Sequence, residues 1–226
     1  MLSAKNIQKS FYLGGVEQKV LRGLDFQVDS GQFVAVIGRS GAGKSTLLYI
    51  LSLLDQECSG KIFVDQEEIS LLSKDKAVKY RLNNFGFVFQ EYALLPELNA
   101  IENVALPLIM QGKSKKIAYE MAKKALAQVG LENKLNNFSS QLSGGEQQRV
   151  SIARAVAHEP KIIFADEPTA SLDSQRAAEI IDIFLELNKG GQTIIMVTHE
   201  LEYAELSDRI VELKDGLIVN DKMIKK

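Results

Sequence analysis

The sequence is poor in the residues that staple or metallate a fold. Its one cysteine, Cys58, excludes an internal disulfide, and two histidines, His158 and His199, are too few for a structural Cys/His zinc site. That scarcity suits a reducing, cytoplasmic setting. No apolar run approaches the roughly 18 residues that cross a bilayer. The longest candidate, Val104 to Met110, is short and holds Pro107. The first ten residues lack the apolar centre of a secretory signal, so any service to a membrane is expected to pass through a partner. An excess of one charge is missing too. Lys and Arg number 27 against 29 Asp and Glu, a net charge of −2, so the bulk charge advertises neither nucleic acid nor an anionic membrane. No repeat, low-complexity tract or linker interrupts the chain, and no accessory domain is expected.

What remains is an ordinary soluble composition, 46% hydrophobic and 25% charged over 226 residues, enough for a substantial core. One compact unit with a subdomain is expected. Short apolar runs at Phe33–Ile37, Lys61–Val64, Phe85–Phe89, Lys161–Ala165 and Thr193–Val197 read as buried strands. Helix-period segments lie between several of them, such as Leu47, Leu51 and Leu54, or Ile180, Ile181, Phe184 and Leu187. Alternating strand and helix predicts an α/β fold with a mostly parallel sheet. Val20–Val28 and the pair Ile210–Leu213 and Leu217–Val219 around Asp215-Gly216 read as antiparallel pieces, expected to form a β-layer beside that sheet. From Glu91 to about Ala157 helical spacing replaces strand signals. The expected organisation is a core of residues 1–90 and 158–226 with an inserted helical subdomain, 91–157.

Gly38-Arg39-Ser40-Gly41-Ala42-Gly43-Lys44-Ser45, continued by Thr46, matches the phosphate-loop pattern and lies directly between a strand and a helix. The glycines let backbone N–H groups curl around phosphate oxygens. Lys44 reaches the β/γ-phosphates, and the Ser45 hydroxyl can hold Mg²⁺. The bland alternative is a Gly-rich turn with an incidental lysine. The run Lys161 to Pro168 is a strand ending in two carboxylates, Asp166 and Glu167. Neighbours on an extended backbone point apart, so Asp166 can serve the metal and Glu167 the attacking water. Gln90 and His199 follow further strands at the same end, which predicts one crevice shared by Gly38, Gln90, Asp166, Glu167 and His199. His158, before Pro160, reads as a solvated histidine at a helix end.

Leu142-Ser143-Gly144-Gly145-Glu146-Gln147-Gln148-Arg149 opens a helix carrying Val150, Ala153 and Ala157 toward a core, a second ready anion site. It follows Lys44 at a distance in sequence that suggests two half-sites, completed by nucleotide bound between two copies of the chain.

These motifs, with Ser171-Leu172-Asp173, resemble in order and spacing the phosphate loop, Q-loop, signature, second nucleotide motif, D-loop and switch histidine of ABC-type ATPases. The resemblance covers nearly the whole chain, and implies a P-loop NTPase core that binds and hydrolyses ATP with Mg²⁺. Glu167, His199 and Lys44 would be the catalytic residues. Ser45, Gln90 and Asp166 would serve the metal. Phe11 would stack on adenine, and Ser143, Gly144, Gly145, Glu146 and Asp173 would complete the site of a partner copy in an ATP-dependent homodimer. Leu13-Gly14-Gly15 and Glu102 to Pro107 look most like the branch of lipoprotein-releasing (LolD), macrolide-export (MacB) and FtsE-type subunits. The implied role is the ATPase of a membrane complex, peripheral on the inner face of the cell membrane and bound to separately encoded permease subunits. The apolar cluster Tyr92, Leu94, Leu95, Pro96 and Leu98, within the stretch Gln90–Leu106, is the expected contact. The lysines at 113, 115, 116, 123 and 124, and the tail Lys222, Lys225 and Lys226, read as solvated. A signalling role without transport is the competing reading. A soluble ATPase acting on DNA or ribosomes is disfavoured, because the chain has no heptads and only one ATPase unit.

Overall fold

The computed structural model describes residues 1–56 and 58–224, so Lys225 and Lys226 lie outside the described residues. In chain order the elements are β1 (Leu2–Leu13), β2 (Val16–Val28), β3 (Phe33–Ile37), α1 (Lys44–Leu51), β4 (Ser59–Val64), β5 (Glu67–Glu68), α2 (Lys74–Asn84) and β6 (Phe85–Val88). Then follow α3 (Ala100–Met110), α4 (Lys115–Gln128), α5 (Gly144–Val156), β7 (Ile162–Asp166), α6 (Ser174–Lys189), β8 (Thr193–Val197), α7 (Leu201–Ala204), β9 (Arg209–Lys214) and β10 (Leu217–Met223). The chain divides into two compact units, Met1–Lys79 with Asn188–Lys226, and Tyr80–Leu187.

In the first unit an antiparallel sheet runs in the order β2-β1-β4-β5. The sequence hides β1 for a physical reason. Leu2 and Ala4 are buried, but the register slips between Ala4 and Ile7, with Asn6 at φ 50°, so the buried positions resume at Ile7 and Lys9. The bulge flips the two-residue period and erases the alternation that marks a strand in sequence. β4, expected among the strands of the parallel sheet, pairs antiparallel with β1 and β5. Its Ile62 and Val64 are buried and alternate with partners that are not, the pattern of a strand covered on one face.

The same unit holds parallel pairs of β3 with β8 and of β3 with β9. The C-terminal hairpin therefore does not extend the antiparallel layer, as expected from sequence. Ile210, Val211 and Leu213 are buried because β9 lies in register with Val34–Ile37 of β3, and β10 closes the edge with mostly exposed residues. After β3, α1 turns Leu47, Leu48, Ile50 and Leu51 into the core.

In the second unit β6 and β7 pair in parallel from Phe85↔Ile162 to Val88↔Ala165. Phe164 meets Phe85 edge-on at 5.0 Å and lies nearly flat on Phe87 at 5.9 Å. Between these strands the regular structure is helical, joined by loops and apart from a bridge between Asn99 and Phe138. α3, α4 and α5 bury Val104 and Leu108, Ala118, Ala122 and Leu126, and Val150, Ile152 and Ala153. His158 is not the solvated residue expected. Its Nε2 lies 3.1 Å from the Phe85 carbonyl oxygen, and Nδ1 is buried with no partner among the described residues. Burial holds its pKa below the ordinary histidine value.

A histidine whose folded pKa is depressed favours the fold when neutral. Its protonation therefore costs stability as pH falls below about 6.5, the unfolded value. Urea unfolding at pH 7.5 and pH 5.5 should show a loss on acidification that is smaller in His158→Gln. An equal loss in both proteins would assign the acid sensitivity elsewhere.

Candidate nucleotide site

In the first unit, the loop between β3 and α1 is made by close packing. A Cβ on Gly38 would lie 2.3 Å from the Leu213 carbonyl oxygen, and one on Gly43, at φ 99°, would lie 2.9 Å from Leu21 Cδ2. Only glycine fits either place. The backbone is fastened on the same side: Arg22 N–H donates to Gly216 O at 3.1 Å, and Gly216 N–H donates to Ala42 O at 3.2 Å. Lys44 is 7% exposed, and its Nζ donates to Gly38 O at 2.9 Å and to Arg39 O at 3.4 Å. The ammonium is thus folded into the loop, while Arg39, Ser40 and Gly41 form its exposed tip.

The helices differ in how they begin. Asn99, Ser114 and Ser143 cap α3, α4 and α5, and Asp173 Oδ1 accepts from Arg176 N–H in the first turn of α6. α1 starts at Gly43, which has no side chain to offer its first-turn amides. A helix start of that kind, with a lysine at its first position, fits a phosphate group. His199 stands at the same edge: Val36 pairs with Val197, and Thr198 N–H donates to Val36 O at 3.1 Å. It is exposed two residues beyond the strand, and Phe11, also exposed, lies on β1.

In the second unit, the pairing Val88↔Ala165 sets Gln90 and Glu167 at the carboxyl edge of adjacent parallel strands. Asp166, 8% exposed, closes β7. Glu167 follows in the left-handed region at φ 45°, a conformation costly for a non-glycine residue. The turn after it is tied back where Ser171 Oγ donates to Gln90 O at 3.4 Å. Ser143 opens α5 with a reciprocal cap: its Oγ accepts from Glu146 N–H at 3.3 Å, and its N–H donates to Glu146 Oε2 at 2.8 Å. That backbone N–H bond, assisted by Lys134 Nζ at 3.2 Å, holds the Glu146 pKa low. Glu146 thus fixes the start of α5.

The ABC transporter family profile matches residues 21–170. The chain belongs to the ABC transporter family. It is 48% identical to the lipoprotein-releasing system ATP-binding protein LolD of Aquifex aeolicus over 98% of this chain and 97% of that one. It is 47% identical to the macrolide export ATP-binding/permease protein MacB of Campylobacter fetus over 98% of this chain, which spans 34% of that protein. A solved dimer of the ATP-binding cassette MJ0796 in a post-hydrolysis state, bound to ADP and Pi, matches at a TM-score of 0.92 and 38% identity over the whole of both chains.

Within this ABC chain, three anchoring residues of the second unit escaped the sequence reading. Gln148 is wholly buried and donates to Pro168 O at 2.8 Å and Phe89 O at 3.4 Å, so α5 grips the segments carrying Gln90 and Glu167. Arg154 donates to the carbonyls of Tyr92, at 2.9 Å, and Ala93. Both residues are left-handed, at φ 60° and 49°, and desolvation pulls the Arg154 pKa down to about 10. Tyr92 Oη in turn lies 2.8 Å from where a Cβ on Gly144 would sit. Asn103, 2% exposed, accepts from Leu95 N–H at 2.8 Å and donates to Leu95 O, Leu98 O and Asn99 O at 3.0–3.1 Å. It pins a loop on which Leu95 and Pro96 are exposed while Tyr92, Leu94 and Leu98 are half-buried. The available signal was a polar residue inside an apolar stripe: Asn103 among Ala100, Val104 and Leu108, and Gln148 beside Val150 and Ile152.

Asn103→Ala removes these bonds and deprives the part-buried Leu95 N–H and Leu98 O of this partner, which should cost about 2 kcal/mol of stability. Chemical denaturation together with accelerated hydrogen exchange at the Leu95 amide should report it. Unchanged exchange there would show that the loop is held by other contacts.

Proposed function

We propose that this chain binds Mg-ATP at Gly38–Thr46 and hydrolyses it, and that ATP brings two copies together to drive a membrane permease made as a separate chain. The observation that carries this reading is the glycine-started, lysine-bearing N-terminus of α1 behind a loop where two glycines admit no side chain. Lys44 neutralises the β- and γ-phosphates, and loop amides hold their oxygens. Magnesium, when bound, neutralises charge on the phosphates. Ser45, Gln90 and Asp166 are hard oxygen donors suited to it, and no group of three or more His, Cys, Asp or Glu that could hold a metal occurs among the described residues. The phosphates and water would supply the remaining ligands. Glu167 accepts the proton of the attacking water, and His199 donates to the γ-phosphate. Ser143, Gly144, Gly145 and Asp173 face the nucleotide of the other copy, and Glu146 acts on it through the cap.

The solved relative that matches along its whole length is dimeric, and the macrolide-export relative joins ATP-binding and permease in one name. Among the described residues no helix is long and apolar enough to cross a membrane. In this reading the loop pinned by Asn103 receives the permease on the inner face of the cell membrane.

Lys44→Ala should fold, bind ATP at least tenfold more weakly and lose turnover, as measured by calorimetry and phosphate release. Normal rates in the folded variant would overturn the site.

Glu167→Gln should bind ATP but turn over roughly 10²–10⁴-fold more slowly, and run as a dimer only with ATP in size-exclusion chromatography. Adding Gly144→Asp should abolish that dimer without preventing nucleotide binding. A Gly144→Ala control places the same Cβ against Tyr92 and adds no charge, so it should still dimerise. Loss of the dimer in both would show that packing under Tyr92, not charge across an interface, was disturbed.

A further inference from the structure

Lys9 and Phe11 lie two residues apart on β1, on either side of a further register shift between Lys9 and Ser10. Lys9 is 4% exposed, and its Nζ sits 2.8 Å from Asp55 Oδ2, 3.0 Å from Asp55 Oδ1 and 4.9 Å from the centroid of the Phe11 ring. Burying an ammonium is costly unless it is paired. Here one ammonium answers both a carboxylate and an aromatic face. Asp55 belongs to the chain just beyond α1, and its N–H donates to Tyr49 O of that helix at 3.1 Å. Phe11 meanwhile is 40% exposed.

We propose that Lys9, held by Asp55, is a positioning residue for adenine: it fixes the ring of Phe11 as a stacking platform at a set distance from the phosphates. The inference rests on the reading of Phe11 as the adenine-stacking residue. Its physical content is a connection. α1 begins at the phosphate loop and ends beside Asp55, Asp55 holds Lys9, and Lys9 holds one face of the ring. An exposed phenylalanine on a bulged strand would otherwise lose rotamer freedom each time a base stacked on it. An ammonium already seated against the ring removes much of that cost.

The test separates the base from the phosphates. Affinities of the full chain for ATP and for inorganic tripolyphosphate, which has the phosphates and no base, would be measured by calorimetry for Lys9→Met, Lys9→Arg, Asp55→Asn and Phe11→Ala. Lys9→Met should raise the ATP Kd about three- to tenfold and leave the tripolyphosphate Kd unchanged. Lys9→Arg keeps the ion pair and the ring contact, and should stay within about twofold. Asp55→Asn, at a partly exposed carboxylate, should weaken ATP in the same sense even if Lys9→Met does not fold. An unchanged ATP Kd in Lys9→Met and Asp55→Asn, with ATP weakened by Phe11→Ala, overturns the role of Lys9 and leaves the platform standing. Equal weakening of ATP and tripolyphosphate would assign the effect to the phosphate loop instead. No effect of Phe11→Ala on ATP removes the platform itself.

Discussion

The site of the first unit depends on one steric constraint, the seat of the phosphate loop. Its backbone runs so close to Leu213 on β9 and Leu21 on β2 that Gly38 and Gly43 leave no room for a Cβ. The hydrogen-bonded relay from Arg22 through Gly216 to Ala42 joins the antiparallel sheet, the C-terminal hairpin and the loop. A loop with this many glycines would ordinarily be entropically soft. Wedged between two strands, it is held by close packing, and in the proposed role this would serve as the preorganisation that electrostatic catalysis requires. The C-terminal hairpin thereby shapes this loop without supplying a side chain to it.

The second unit solves a similar problem with side chains. Glu167, Tyr92 and Ala93 all occupy left-handed backbone, and strained positions persist only where surroundings over-determine them. α5 provides surroundings for both segments involved: Gln148 fastens Phe89 and Pro168, and Arg154 fastens Tyr92 and Ala93. The helix that begins with Ser143-Gly144-Gly145 is therefore also the clamp of the segment that contains Gln90. A displacement of either is felt by the other through bonds of about 3 Å, without invoking a longer pathway.

How much of this could be read from the sequence follows the range of the interactions. The phosphate loop, the acids at the end of β7, the signature and the order of motifs are local patterns, and local patterns survive in one dimension. The C-terminal hairpin was legible as a hairpin because Asp215-Gly216 marks its turn, but not its place beside β3, since parallel pairing of residues as far apart as Val34 and Arg209 leaves no local mark. β1 was hidden by its bulge, and β4 was misassigned because a short apolar run does not declare the direction of its partner. Asn103, Gln148 and Arg154 were illegible for another reason. Their partners are backbone carbonyls and amides, which every residue has, so nothing in the sequence identifies whom they hold.

The cap of α5 has a consequence for which amino acids can stand at position 143. As helix starts, Ser, Asp and Asn are nearly equivalent, because each accepts from the amide three residues on. Ser143 uses its oxygen as acceptor toward Glu146 and still carries a hydroxyl proton. An aspartate would cap as well and bring a negative charge with no proton to give. If this helix start only had to begin a helix, either residue would serve. If it must also present a hydrogen to an anion, Asp drops out, and the choice narrows to Ser and Asn, which keep a proton to give. Helix propensity and ligand chemistry thus impose different alphabets on one position, and the tolerance of position 143 to Asp would reveal which of them is written there.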